Sequence, residues 1–244
     1  MNRPALIIAK KELRMFFDSL VAYILLIAFL GFSGFFTWFY GSDIFLTKQA
    51  SLDSFFDTSY WTLFFFIPAL TMRSIAEENK TGTIELLLTK PISNWQVLWG
   101  KFLACLLLIL IALLCTIPYI ITIAWLGKGN LDLGVVSNGY LGLLLMSAAY
   151  ISIGIFASSI TGNQVVAFLI ALFTGIFFHW VFGLVGGGLT GTPGEIINYI
   201  GMSEHFDGIK RGLIDSRDII YFGSIIFLGL VLAEVSLAKR NTAE

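Results

Sequence analysis

Few residues in this sequence could do chemistry. Its 244 residues include two histidines, His179 and His205, and two cysteines, Cys105 and Cys115. His205 sits between Glu204 and Asp207 without a second histidine or cysteine at ligand spacing, so no metal site is expected and the ring should lie on a solvated face. His179, in FFHWVFG, is an ionisable group near the end of an apolar run and is expected beside Trp180 at a membrane boundary. The cysteines share one apolar run about 15 Å apart along a helix, too far to pair. No G-x-x-x-x-G-K-[ST] phosphate loop is present; Lys128 follows Gly127 but lacks the earlier glycine, so this chain should bind no nucleotide cofactor of its own. Paired histidines, carboxylate clusters and a G-x-S-x-G turn are missing from the apolar runs, which argues against an intramembrane enzyme. Nearly charge-free runs argue against an ion-coupled transporter or channel.

One stretch stands apart. AEENKTGTIELLLTKPIS, residues 76–93, carries five charges between two apolar runs. Gly82 breaks the lead EENK, Thr83 is placed to cap the next backbone N–H groups, and IELLLTK makes one to two helical turns before Pro91. Glu85 at the start and Lys90 at the end suit the helix dipole. Ser93 to Gln96 reads as a capping box, with Ile92 and Val97 as a hydrophobic staple opening the next helix. A two-turn helix is unstable alone in water, and Ile84, Leu86, Leu87 and Leu88 need cover. Either the segment packs back on its own membrane surface, or it docks in the groove of a soluble partner and passes force to the membrane helices.

The elements around it follow from composition. With 57% hydrophobic and 13% charged residues, the chain reads as a single all-α polytopic membrane domain over 1–244. Segments 20–40, 59–75, 97–126, 136–158, 164–184 and 219–237 are each near the length of a crossing, with the second marginal. Ten basic residues fall on one side against five on the other, which places both termini in the cytoplasm. A formal net charge of -1 without a basic cluster excludes nucleic acid as a partner. Residues 4–20 place Leu6, Ala9, Leu13, Phe16, Phe17 and Leu20 on one face, with Lys11, Arg14 and Asp18 opposite. This pattern fits a helix lying along the inner membrane surface and in contact with lipid, as against a straight extension of the first span. Pro68 and Pro118 should bend their spans. Gly183 and Gly187 form a weak helix-contact pattern. Residues 193–218 are too apolar for a free loop and too charged to span. They read as re-entrant or surface helices in which Phe206, Ile209 and Leu213 are buried.

The 76–93 segment resembles the coupling-helix segment of ABC-2 type transporter permeases. The matching positions are Glu77, Glu78, Gly82, Thr83, Glu85, Leu86, Leu87, Leu88 and Pro91. The similarity extends to six spans, an amphipathic elbow helix before the first and a structured outer segment between the last two. MSEHFDGIKRGLIDSRDIIYF, residues 202–222, is similar to the signature of the gliding-motility-associated branch, itself related to the permease of nitrous-oxide-reductase maturation. The resemblance implies a multi-pass subunit of the bacterial inner membrane that is not itself an enzyme. Its partners would be an ABC ATPase subunit that binds ATP and Mg, a second permease protomer forming a homodimer or heterodimer, and an extracytoplasmic auxiliary subunit. It also implies an outer lid that includes His205, Phe206, Asp215 and Asp218. Cargo stays open: motility, or export of a lipid, drug or maturation factor.

Overall fold

The computed structural model describes residues 3–40, 51–83, 92–127 and 131–241. All elements among them are helical: α1 Arg3–Asp18, α2 Leu20–Trp38, α3 Asp53–Thr71, α4 Ala76–Thr81, α5 Asn94–Leu114, α6 Ile117–Leu126, α7 Leu133–Ser159 and α8 Gln164–Ile176. A π-helical turn, Phe177–Val181, leads into α9 Phe182–Gly188, α10 Thr192–Ile200, α11 Met202–Lys210 and α12 Ser216–Asn241. Five stretches are long and apolar enough to cross a membrane: Leu20–Trp38, Asn94–Leu126, Leu133–Ser159, Gln164–Gly188 and Ser216–Lys239. Polar residues near its start, among them Asp53, Ser54, Asp57 and Thr58, keep α3 out of that set. It is nonetheless an inner helix that packs against α2, α7 and α8.

Helix α7 is the axis of the bundle. Its apolar window is 78% buried, against 22–39% for the other four, and it packs against α3, α5, α8, α11 and α12. Small residues allow this crowding. A Cβ on Gly139 would stand 2.3 Å from the Phe56 ring, one on Gly154 would stand 2.0 Å from Thr71 Oγ1, and one on Gly229 of α12 would stand 2.7 Å from Ser152 Oγ. Side chains start these helices as the physics of unpaired N–H groups requires. Asp132 Oδ1 accepts from Gly134 and Val135 N at the head of α7, and Asn163 Oδ1 from Val165 N at the head of α8. The expected Ser93–Gln96 capping box is formed in both directions.

The first helix does not continue into the first long one. Ser19 is extended at φ -105°, ψ 163°, and its hydroxyl accepts from Val21 N. The packed face of α1 is rotated from the expected one: Ala5 and Ala9 are buried, while Leu6 is 47% exposed. Contact with α5 decides this, because α1 lies against α5 more than against α2. A Cβ on Gly100 would meet Ile8 Cγ2 at 2.6 Å and Ala5 O at 3.0 Å.

The third apolar run is two helices. The chain turns at Cys115 and Thr116 and restarts with Pro118 in the first turn of α6, where a missing N–H does least harm. Thr116 Oγ1 lies 2.7 Å from Tyr140 Oη, which fixes the break to α7. An apolar groove of about 520 Å³ opens beside it, lined by Leu113, Leu114, Ile117, Val136 and Tyr140 among others. Pro68, in contrast, lies inside an uninterrupted α3.

One pair of substitutions separates packing from helix propensity. Gly139→Ala adds a methyl group against Phe56 and should cost roughly 1–3 kcal/mol of stability despite the better helix former. Gly223→Ala adds the same methyl group where no atom lies within 4 Å. It should leave the thermal midpoint unchanged or slightly raised in nanodiscs. Equal shifts for the two variants would refute this account of α7.

Candidate functional site

Of the segment that most resembles a coupling helix, Glu77, Glu78, Gly82 and Thr83 are described; Glu85, Leu86, Leu87, Leu88 and Pro91 lie outside the described residues. Gly82 ends α4 in the left-handed region at φ 68°, a conformation that favours glycine. Thr83 Oγ1 lies 2.9 Å from Thr81 Oγ1. Glu77, Lys80, Thr81 and Thr83 are exposed, whereas the other side of α4 is held to three helices.

The first hold is electrostatic. Lys101 Nζ donates to Glu78 Oε1 at 2.7 Å and to Glu12 Oε1 at 3.1 Å, and the Lys101 side chain is 3% exposed. Lys101 lies eight residues beyond the Ser93 cap, about 12 Å into α5, among buried residues. An ammonium group placed there needs compensating carboxylates, and α1 and α4 each supply one. The sequence does carry a signal: Glu12 falls on the packed stripe with Ala5 and Ala9, where a lone carboxylate calls for a cation.

The second hold is a cap supplied by another helix. No side chain of its own caps α4. Instead Ser158 Oγ, near the end of α7, accepts from Ile75 N and Ala76 N, both at 2.9 Å, and donates to Met72 O at 3.1 Å. Asn79 Nδ2 donates to Thr161 O at 3.2 Å. Thus α4 is joined to α1, α5 and α7 at once.

At the opposite end of α7, the residues expected to form an outer segment assemble around α11. His205 is buried at 2% exposure, which corrects the expected solvated face. Its Nδ1 lies 2.7 Å from Asp218 Oδ1 and its Nε2 lies 2.8 Å from Tyr199 O. Phe206 stacks on Tyr60 at 4.7 Å, and the other face of Tyr60 stacks on His179 at 3.8 Å. Lys210 Nζ pairs with Asp57 Oδ1 at 2.5 Å, and Asn138 Nδ2 donates to Gly212 O. Asp215 is exposed and accepts from Arg217 N at the start of α12, and this N–H holds its carboxyl below the usual range. Phe206 and Ile209 are buried as expected, but Leu213 is 71% exposed.

His179 is also corrected. It is 2% exposed while Trp180 beside it is 56% exposed, so the two point opposite ways. His179 Nδ1 lies 2.7 Å from Tyr150 Oη, and Tyr60 Oη donates to His179 O. That bond serves a carbonyl in a π turn, where the regular helical pattern shifts. Periodicity gave no warning of this turn. The close helix contact nearby belongs to Gly186, whose Cβ would stand 2.3 Å from Asn198 Oδ1, while Gly187 faces open space. No group of three or more metal-ligating side chains occurs among the described residues.

The Lys101 cluster gives a direct test. Lys101→Met leaves two carboxylates facing each other and should cost about 3 kcal/mol. Adding Glu12→Gln and Glu78→Gln to that variant should recover most of the loss in thermal unfolding. If the triple variant is no more stable than Lys101→Met, the three groups do not act as a unit.

Residues 6–199 match the model of the ABC-2 family transporter proteins. No curated protein matches the chain. The match takes in α4, its partners Glu12 and Lys101, and the axis α7, and ends before α11 and α12. The chain therefore belongs to the ABC-2 transporter family, whose members are the transmembrane permeases of ABC transporters.

Proposed function

We propose that this permease couples ATP hydrolysis on a separate ABC ATPase to transport through residues 76–91, and that it does so as one of two permease protomers. The observation that carries this reading is the mounting of α4. A helix of six residues is too short to be stable alone. Its inner side is fixed to α1, α5 and α7 by Glu78, Ser158 and Asn79, and its outer side is exposed. A partner that displaces such a helix displaces its mountings.

In the proposed arrangement α3 is the second of six spans, both termini are cytoplasmic, and α1 is an elbow helix on the inner surface of a bacterial cytoplasmic membrane. The buried, aromatic character of α3 supports its assignment as a span despite its polar start. Membership of the gliding-motility-associated branch rests on the likeness of residues 202–222, and an auxiliary subunit at the outer face would belong to the same system.

Co-purification tests the coupling site. Glu85→Lys with Leu87→Asp should abolish recovery of the ATPase while the permease still inserts, because each change costs a few kcal/mol at a desolvated contact. A normal ATPase yield would sink the assignment. Topology is checked separately: a reporter after Glu244 should behave as cytoplasmic and one beside Lys128 as external. The same side for both would remove the six-span arrangement.

A further inference from the structure

His205 stands between two acceptors. Its Nδ1 is 2.7 Å from a carboxylate oxygen of Asp218, and its Nε2 is 2.8 Å from the carbonyl oxygen of Tyr199. A neutral imidazole carries one N–H and offers one lone pair, so it can satisfy only one of these two partners. Both contacts become hydrogen bonds when both nitrogens carry protons. The imidazolium then forms a charge-assisted bond to Asp218, and the positive ring stacks on Tyr221 at 3.9 Å.

The neighbouring charges leave this pair to itself. Helix α7, packed against α11, contains no charged residue. From α3, Asp57 is taken by Lys210. On α12, Arg217 lies by Asp215, and Tyr221 donates its hydroxyl to Ile200 O. On α10, Tyr199 presents its carbonyl and the edge contact of its ring, while Glu195 is exposed. Within α11 itself, Glu204 is exposed and Asp207 lies 4.0 Å from Lys210. The π turn also packs against α11, and its one titratable group, His179, lies by Tyr150 and Tyr60; among the described residues Asp218 is the one charged partner within ion-pair distance of the imidazole.

We propose that His205 acts as a protonation-dependent clasp, which as an imidazolium locks α11 to both α12 and the end of α10 and which loosens when the ring loses a proton. The sign follows from the partners. Deprotonation of the ring leaves one lone pair facing an acceptor in a buried site, so the clasp weakens as pH rises through the titration of His205. Three helices meet at this one ring, so its release loosens α11 from both α12 and the end of α10, leaving Tyr221 bonded to Ile200 O. The inference goes beyond the transport reading and stands or falls independently of it.

The full-length chain in nanodiscs, labelled with ring-¹⁵N histidine, offers a clean test because it has two histidines. His205→Asn assigns the signals, and Asp218→Asn provides a second variant in which an amide can donate to a neutral ring. On the acid side of its titration His205 should show protons on both nitrogens. Raising the pH until one is lost should accelerate amide exchange across Met202–Lys210 at least about tenfold, after correction for intrinsic rates. In Asp218→Asn the ring should carry one proton throughout, with no such step. A ring that stays singly protonated across the stable pH range of the unaltered chain would overturn the proposal, as would a titration that leaves α11 exchange unchanged.

Discussion

The arrangement of the bundle around α4 depends on one ammonium group placed where water does not reach. Lys101 is 3% exposed, and a charge in that position is tolerable only with carboxylates at hydrogen-bond distance. Glu12 and Glu78 supply them from two separate earlier helices, 89 and 23 residues before it in the chain. The requirement fixes the rotation of α1, which must turn Glu12 inward and so leaves Leu6 outside. It also fixes the first turn of α4, which brings Glu78 to the same nitrogen. Apolar packing alone would not choose these orientations, since α1 has enough apolar residues to present several faces. The close approach at Gly100 then becomes affordable only in the register that the ion cluster selects.

How much of this was readable follows from the range of each interaction. The capping box at Ser93, the helix end at Gly82 and the interruption near Pro118 are local, and each appears where the residue types place it. The break at Ser19 was legible for the same reason, because a straight helix would have carried Lys10, Lys11 and Arg14 along a span. The ion cluster of Lys101 was not legible, because its two glutamates come from other helices and nothing beside Lys101 in the sequence points to them. His179 and His205 were misjudged similarly: their partners Tyr150 and Tyr60, and Asp218, come from other helices, and a π turn has no periodic signature. Of the site itself, the exposed lead of α4 was legible and its mountings were not.

The two ends of α7 complete the argument. At one end Ser158 caps α4 and binds the preceding turn; at the other, Asn138 holds Gly212 while Gly142 lies against Phe206 and Ile209. Between them α7 runs as one unbroken helix of 27 residues, roughly 40 Å at 1.5 Å per residue. Its packed face there is glycine, alanine, serine and apolar side chains, with no charged residue. Polar ties resist displacement because they are directional and costly to leave unmade, whereas small apolar contacts can shift with less loss. Tyr150 Oη, 2.7 Å from His179 Nδ1, and Ser152 Oγ, which donates to Ile225 O, add polar ties along that length, so α7 is braced as a body. In the proposed coupling, a displacement imposed on α4 would reach α11 through α7 without breaking an ion pair on that helix.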